Sequence, residues 1–306
     1  MQDASFSERV QARSEEDNYS PDVTAAPRLR TPHPTSYEID SRKLGKLLDL
    51  AELWRFRELL FFLVWRDIKV RYQQTIIGGA WAIIQPITTM IVFTIFFGQL
   101  IEVDSEGVPY PLFTFAALVP WNFFAAAIGQ AAESLVANGH LVKKIYFPRL
   151  LLPLARILGV GVDALIALVV LFVLMAIYGR APQLESIWLL PILVVILVLV
   201  SFAIGIWLAA INVRFRDVRY VVPFVLQTWM FVTPVVYSTR MVDESWQWLY
   251  SLNPMTGVVE GFRWALYHTG SFQPWMLLIS VVSAVILLMT GLLFFHRSEG
   301  KFADLV

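Results

Sequence analysis

Residue types that carry chemistry are scarce in this chain, and their spacing fits no common catalytic motif. The 306 residues include no cysteine and four histidines, and no two histidines have the spacing of a zinc-binding helix. The Gly45-Lys46 and Gly300-Lys301 pairs lack the upstream glycine and the following hydroxyl residue of a phosphate-binding loop. A Gly-x-Ser-x-Gly nucleophile motif is absent as well. The sequence therefore predicts no catalytic residue, no metal site and no phosphate-loop ATP site.

One ionisable residue, Asp163, lies inside a long apolar segment, where such residues are candidates for proton relays. Gly159 and Ala167 flank it at a distance of four residues, so we expect its carboxylate to face a closely packed helix. A structural ion pair with Arg156, or with an arginine from another helix, is our first interpretation. An intramembrane glycosyl- or acyltransferase, or a proton-coupled carrier, would need Asp163 as its acid or base. Loss of product in an Asp163→Asn variant that still assembles would favour the transferase.

Hydrophobic residues make up 57% of the chain and charged residues 16%, whereas soluble domains average roughly 45–50% and about 25%. A helix needs about 20 apolar residues to cross a hydrocarbon core about 30 Å thick. We therefore predict an all-α integral membrane protein with six transmembrane helices. The spans are residues 82–101, 112–130, 157–178, 187–211, 220–237 and 275–295.

The distribution of lysine and arginine predicts the orientation, because cytoplasmic loops of membrane proteins are enriched in both. Of the 24 lysines and arginines, only Arg180, Arg240 and Arg263 face the outside when both termini are placed in the cytoplasm. Acidic residues also number 24, and this balance gives no sign of a nucleic-acid partner. We expect a multi-pass plasma-membrane protein whose residues 296–306 form a cytoplasmic C-terminus.

Two segments precede the first span. Residues 1–45 are polar and rich in proline and serine, which predicts a disordered cytoplasmic tail. Residues 50–72 combine a short apolar run with tryptophans and basic side chains, a pattern typical of an amphipathic helix in the membrane interface. A buried helix of a small cytosolic domain is the alternative. Anionic lipid would bind Arg66, Lys69 and Arg71.

Two connecting segments are too apolar for ordinary loops. Residues 133–153 carry Lys143, Lys144 and Arg149 among apolar residues, and we interpret this segment as a short helix that docks on another protein or on anionic lipid. Residues 238–274 are rich in tryptophan and tyrosine and are interrupted at Asn253-Pro254. This pattern favours two external re-entrant helices between spans five and six, with aromatic anchoring at the interface as the alternative.

Short motifs give a more specific indication when they are taken together. In chain order they are Arg57-Glu-Leu-Leu60, Arg66-Asp-Ile-Lys-Val-Arg-Tyr72, Gln85-Pro86, Asn138 to Lys144, Phe147-Pro148-Arg149, Arg216-Asp217-Val218, Thr233-Pro234 and Asn253-Pro254. Over about residues 50–300 the chain resembles the permease subunits of polysaccharide-exporting ABC transporters of the ABC-2 type. Exporters of O-antigen, teichoic acid and capsule are close relatives in that family.

The resemblance implies a homodimer bound to two copies of a separate ABC ATPase, which would hold the ATP and Mg²⁺. It implies export of a lipid-linked polysaccharide across the bacterial inner membrane, with O-antigen of lipopolysaccharide ahead of teichoic acid or capsule. It also implies that the ATPase docks on a coupling helix at residues 135–147 and on residues 212–220. The residues assigned to this contact are Leu135, His140, Lys143, Lys144, Tyr146, Arg149, Arg214, Arg216 and Asp217.

The resemblance further implies a channel lined mainly by the first and fifth spans, with the re-entrant helices at its exit. Sugar rings stack on aromatic side chains, although helix packing is the alternative interpretation for each aromatic residue. The channel candidates are Phe93, Phe96, Phe97, Trp229, Phe231 and Tyr237. Near the cytoplasmic interface, Arg66, Lys69 and Arg71 are candidates for contact with the lipid-linked phosphate, and membrane lipid headgroups compete for them.

Overall fold

The computed structural model describes residues 50–73, 78–269, 272–300 and 302. Within these ranges all regular elements are helical. The α-helices are α1 (Leu50–Arg55), α2 (Arg57–Gln73), α3 (Gly78–Phe93), α4 (Tyr110–Ala137), α5 (Gly139–Lys144), α6 (Leu151–Ile177), α7 (Leu189–Arg214), α8 (Val218–Val232), α9 (Glu244–Ser251), α10 (Pro254–Tyr267) and α11 (Pro274–Glu299). Helix α3 continues as a π-helix over Thr94–Leu100, and a 3-10 helix covers Thr239–Met241. The predicted tail and the last residues of the predicted C-terminal segment lie outside the described residues.

In the described part of the chain, five helices are long and apolar enough to cross a membrane: α3 with its π-helical extension, α4, α6, α7 and α11. This confirms the all-helical membrane fold. The predicted fifth span coincides with α8, an apolar helix of 15 residues. It ends at Val232 and not at residue 237, because Pro234 disfavours the helical conformation at Thr233, which has φ −96° and ψ 141°. The count of six spans remains a prediction.

Helix α4 forms the centre of the bundle. It packs against α3, α6, α7, α8 and α10, and its Phe113, Phe115 and Phe124 side chains are completely buried. No charged residue precedes Glu133 in this helix, so nearly every face suits an apolar environment. The helix runs to Ala137, beyond its predicted limit at residue 130, because a helix can continue past the hydrocarbon core once polar side chains appear.

Hydrogen bonds connect two loops at one end of the bundle and helices α4 and α7 at the other. At one end, Arg180 Nη2 donates to the Gly107 carbonyl at 3.1 Å. At the other end, Asn212 Nδ2 donates to the Ala132 carbonyl at 2.8 Å. We name these the acidic end, which carries Glu102, Asp104 and Glu106, and the basic end, which carries Lys143, Lys144, Arg149, Arg214, Arg216 and Arg219. That the basic end is cytoplasmic remains a prediction.

Small residues on α7 permit close helix packing. Ser201, Gly205 and Ala209 are buried. A Cβ atom added to Gly205 would lie 2.8 Å from the Ala131 Cβ atom of α4. The two helices are therefore closer here than a larger residue would allow.

Gly205→Ala is expected to destabilise the protein by about 1–3 kcal/mol, because the added methyl group forces α4 and α7 apart. The melting temperature of the detergent-solubilised protein measures this effect. Gly161→Ala on α6 is the matched control, since a Cβ atom added there meets nothing within 4 Å. Equal melting temperatures for the two variants would contradict the close contact.

Candidate functional site

A cleft of about 1010 Å³ lies beside α4, between α3 and α8. Its wall includes Trp81 and Gln85 from α3, Asn122 from α4 and Leu226 from α8. Residues of α6 and of the end of α2 complete the wall. Polar side chains among apolar helices indicate a wet cavity, because lipid cannot satisfy their hydrogen bonds. In the part of the chain that the structure describes, this cleft is the strongest candidate for a ligand path.

Charged side chains line the cleft toward the basic end. Arg71 of α2 forms an ion pair with Asp163 of α6, and the Tyr72 hydroxyl donates to the same carboxylate. Burial, followed by this hydrogen bond, raises the pKa of Tyr72 to about 12, so the hydroxyl keeps its proton at neutral pH. The expected pairing of Asp163 with an arginine from another helix is confirmed. It accounts for the carboxylate without a proton relay.

A further ion pair fastens α2 to α6, and a hydrogen bond fastens it to the start of α5. Arg156 Nε lies 3.3 Å from Asp67 Oδ2, and Arg66 Nη2 lies 2.9 Å from Asp67 Oδ1. Arg66 Nη2 also donates to Asn138 Oδ1 at 2.9 Å. Helix α2 is therefore attached to two other elements of the bundle through its polar side.

These contacts bear on the residues expected to meet the lipid phosphate. Arg66 and Arg71 are each engaged by a carboxylate of the protein, whereas Lys69 is exposed. The side of α2 that faces away from the bundle is apolar and aromatic, with Phe61 and Trp65 exposed. That face suits lipid contact, and the interfacial location of α2 remains a prediction.

At the acidic end, the side chain of Asn253 connects the two proline-containing breaks that follow α8 and α9. Trp229 Nε1 donates to Asn253 Oδ1 at 3.2 Å, and Asn253 Nδ2 donates to Thr233 Oγ1 at 2.9 Å. Asn253 Oδ1 also accepts from the Met255 N–H at 3.1 Å and caps the first turn of α10. The Thr233-Pro234 and Asn253-Pro254 motifs therefore meet in space. Helices α9 and α10 are separated at this break as the sequence predicts, and their insertion into the membrane remains a prediction.

Helix α10 also holds a buried ion pair that the sequence analysis missed. Glu260 and Arg263 are completely buried, and Arg263 Nη1 lies 3.3 Å from Glu260 Oε1. The guanidinium donates to the carbonyls of Phe113, Val235 and Tyr237 at 3.2, 2.7 and 3.2 Å. These bonds join α10 to α4 and to the segment after α8. Opposite charges three residues apart in an apolar helix were the available signal, because a buried charge needs a partner.

Comparison with known proteins decides the family. Residues 58–267, more than half of the chain, match the family model described as ABC-2 type transporter. The chain belongs to the ABC-2 type transporter family. Its resemblance to permease subunits of that type is thus confirmed.

Three relatives show which transport proteins this ABC-2 chain is similar to. The O-antigen export system permease protein RfbA of Klebsiella pneumoniae is 28% identical over 249 residues, which cover 81% of this chain and 95% of the relative. RfbA of Myxococcus xanthus is 30% identical over 260 residues, covering 83% and 98%. The polysialic acid transport protein KpsM of Escherichia coli is 25% identical over 206 residues, covering 66% and 78%.

The ABC-2 chain exposes most residues of the predicted coupling helix. His140, Lys143, Lys144 and Tyr146 are exposed in and just after α5. Leu135 belongs to α4 and is completely buried, so it offers no surface to a partner while α4 stays packed. The helical part of the predicted 135–147 segment that follows α4 is confined to the six residues of α5.

The remaining docking candidates differ in their surroundings. Arg149 is half-buried, lies 4.0 Å from the Glu299 carboxylate through its Nε atom, and also donates to the Glu299 carbonyl. This contact attaches the end of α11 to the segment before α6. Arg214, Arg216 and Asp217 are exposed in the turn between α7 and α8, where a partner has free access to them.

None of the six aromatic residues predicted to line a channel borders the cleft in the described region. In the first span, Phe93 is buried and meets Phe97 edge-to-face, with ring centroids 5.7 Å apart. Phe96 is 53% exposed. Phe93 and Phe97 are therefore packed against each other, whereas the Phe96 ring remains partly exposed.

The aromatic candidates in and near α8 likewise include residues held by protein contacts and one that is exposed. Trp229 packs edge-to-face on Phe124, with centroids 5.4 Å apart, in addition to its bond with Asn253. Tyr237 donates its hydroxyl to the Phe231 carbonyl at 2.9 Å. The Phe231 side chain is 49% exposed. The role of all six residues in a channel remains a prediction.

A double-mutant cycle on Arg71 and Asp163 is expected to give a coupling energy of about 0.5–3 kcal/mol, because each alanine variant removes the same ion pair. Thermal unfolding of the detergent-solubilised variants provides the four stabilities. Lys69→Ala is the control, since this exposed cation on the same helix should not couple to Asp163. Strictly additive effects of Arg71→Ala and Asp163→Ala would argue against the pair.

Glu260→Gln is expected to destabilise the protein by about 3–5 kcal/mol, because it leaves the Arg263 guanidinium without its buried counter-charge. Arg263→Lys should also destabilise it, since an ammonium group cannot donate to three carbonyls in the planar arrangement of a guanidinium. The melting temperature in detergent reports both effects. Arg240→Lys at an exposed position is the control. A wild-type melting temperature for Arg263→Lys would show that the carbonyl contacts contribute little.

Proposed function

We propose that the chain is the permease subunit of an ABC transporter that exports a lipid-linked polysaccharide across the bacterial inner membrane. Two relatives that match along nearly their whole length are named O-antigen export permeases, which makes O-antigen the first candidate cargo. Capsular polysaccharide is the second candidate, because a polysialic acid transport protein is also similar.

Two copies of a separate ABC ATPase, bound to a homodimer of this chain, would supply the energy. The exposed Lys143 and Lys144 of α5 support this arrangement, because they present positive charge on a short helix at the basic end. The exposed turn at Arg214 and Arg216 offers a second basic surface at the same end. We expect acidic residues of the ATPase to meet both.

The observation that carries the proposal is the continuity between α5 and the cleft. Helix α4 lines the cleft with Asn122 and then passes through Asn138 into α5. Asn138 accepts a hydrogen bond from Arg66 of α2, and Arg71 of α2 borders the same cleft. A displacement of α5 by an ATPase would therefore move two walls of the cleft together.

The cargo would approach the cleft from the basic end and leave at the acidic end. Arg219 lines the cleft and Lys69 lies on the exposed side of α2, so both are available to a lipid-linked phosphate. Arg66 and Arg71, which are held in ion pairs, would serve mainly to attach α2. The excess of lysine and arginine at the basic end favours its cytoplasmic location, which gives the outward direction of transport.

The proposal is tested by co-expressing the chain with its ATPase in a bacterial strain that lacks its own O-antigen exporter. We expect the two proteins to copurify, the complex to hydrolyse ATP, and the glycan to reach the cell surface. The chain purified alone should hydrolyse no ATP. Hydrolysis by the chain alone, or glycan at the surface without the chain, would overturn the proposal.

The double variant Lys143→Glu/Lys144→Glu is expected to weaken binding of the ATPase by more than about tenfold, because like charges across an interface cost several kcal/mol. Export should fall in parallel. Copurification and surface glycan are the measurements, and Arg240→Glu, a charge reversal at the acidic end, is the control. Unchanged copurification of the double variant would mean that α5 is not the docking helix.

A further inference from the structure

Helix α4 is buried on every side except one. Across residues 112–132, five positions are not buried, and they recur at intervals of three and four residues, the spacing of a single helix face. These five residues, which we name the α4 stripe, are Asn122, Ala125, Ala126, Gly129 and Gln130. All of them line the cleft.

The α4 stripe carries neutral amides at both ends. Asn122 and Gln130 are eight positions apart and so lie ~12 Å apart along the helix. Gln85 of α3 brings a third amide to the cleft wall. None of these three side-chain amides is bonded to another residue in the ranges that the structure describes. Since an amide has two donors and an acceptor, all three are available to water or to a ligand.

Next to Gln130, the α4 stripe is kept open by glycine. A Cβ atom added to Gly129 would meet nothing within 4 Å, so no neighbouring helix requires glycine there. At Gly205, in contrast, an added Cβ atom would collide with α4. A larger side chain at position 129 would therefore project into the cleft without disturbing the packing of the bundle.

We propose that Asn122 and Gln130 of the α4 stripe, with Gln85, bind the hydroxyl groups of the glycan chain inside the cleft. This inference rests on the proposed function and adds the residues that contact the cargo. Amides suit neutral hydroxyls because they donate and accept without the cost of burying a charge. Their separation along α4 lets them contact different units of one chain. Because Gly129, Ala125 and Ala126 have small or no side chains, they leave room in the cleft for the glycan chain.

The first experiment replaces Gly129 with leucine in the complete complex with its ATPase. Gly129→Leu is expected to block export while the complex assembles and unfolds at the wild-type temperature. Gly161→Leu is the matched control, because it adds the same side chain at an open glycine outside the cleft. If the wild-type complex exports glycan and Gly129→Leu exports it equally well, the stripe assignment is wrong and the proposed function stands. If the wild-type complex does not export, the proposed function itself fails.

A second variant tests the amide hydrogen bonds separately from the free volume beside Gly129. Asn122→Ala/Gln130→Ala is expected to reduce the export rate by about tenfold at limiting glycan, since two hydrogen bonds to the cargo are lost. ATP hydrolysis by the complex should persist, which separates loss of cargo contact from loss of the fold. A wild-type export rate at every glycan level would overturn the role of the amides.

A third experiment uses the absence of cysteine from the chain. Gly129→Cys should react with a water-soluble maleimide in membranes, and more slowly in cells that synthesise the glycan than in cells that do not. Gly161→Cys should show no such difference. A disulfide between two Gly129→Cys chains, in place of glycan protection, would show that a second copy covers the stripe and would overturn the proposal.

Discussion

An ionised side chain among apolar helices is stable only when an opposite charge or several hydrogen bonds compensate it. This constraint sets the geometry at both ends of the bundle. At the basic end, Asp67 and Asp163 receive arginines from facing helices and hold α2 against α6. At the acidic end, Glu260 and Arg263 hold α10 against α4 and against the segment after α8. Helix α4 itself is bonded near both ends, because Arg263 donates to the Phe113 carbonyl and Asn212 donates to the Ala132 carbonyl. The cleft along its side therefore keeps a defined wall.

The same constraint explains where the uncharged polar side chains of α4 lie. Thr114 is buried in the bundle, whereas Asn122 and Gln130 reach the cleft. A buried primary amide would need several partners to satisfy its two donors and its acceptor. The cleft is the side of α4 where such groups remain solvated.

Much of the fold follows from the sequence because hydropathy and proline act locally. The length of an apolar run predicts a spanning helix, and the Asn253-Pro254 pair predicts the break between α9 and α10. The need of Asp163 for an arginine partner is predictable from its apolar surroundings. The identity of that partner is not, because Arg71 lies 92 residues away in the chain. The end of α8 is also hard to predict, because the residues after Thr233-Pro234 are still apolar. Hydropathy does not show where the backbone leaves the helical conformation.

The candidate site is less predictable because residue type does not determine which neighbour a helix face meets. Trp229 has an aromatic ring of the kind that stacks on sugars. In this structure the ring packs on Phe124, and its N–H donates to Asn253. Leu135 lies in a plausible docking segment, yet α4 continues through it. The spacing of Asn122 and Gln130 places two amides on one face of α4, a signal that the sequence contains and that residue type alone does not reveal.

The glycines divide the bundle into a stationary and a movable part. Five glycines meet a neighbouring helix so closely that an added Cβ atom would lie within 3 Å of it. They are Gly98 of the π-helix, Gly205 of α7, Gly257 and Gly261 of α10, and Gly291 of α11. Closely packed helices resist sliding because their interiors have no spare volume. Helix α8 has no glycine and buries only Val222 and Leu226. A transport cycle that widens the cleft should therefore tilt α8 as a lever, while α4, α7, α10 and α11 act as its frame.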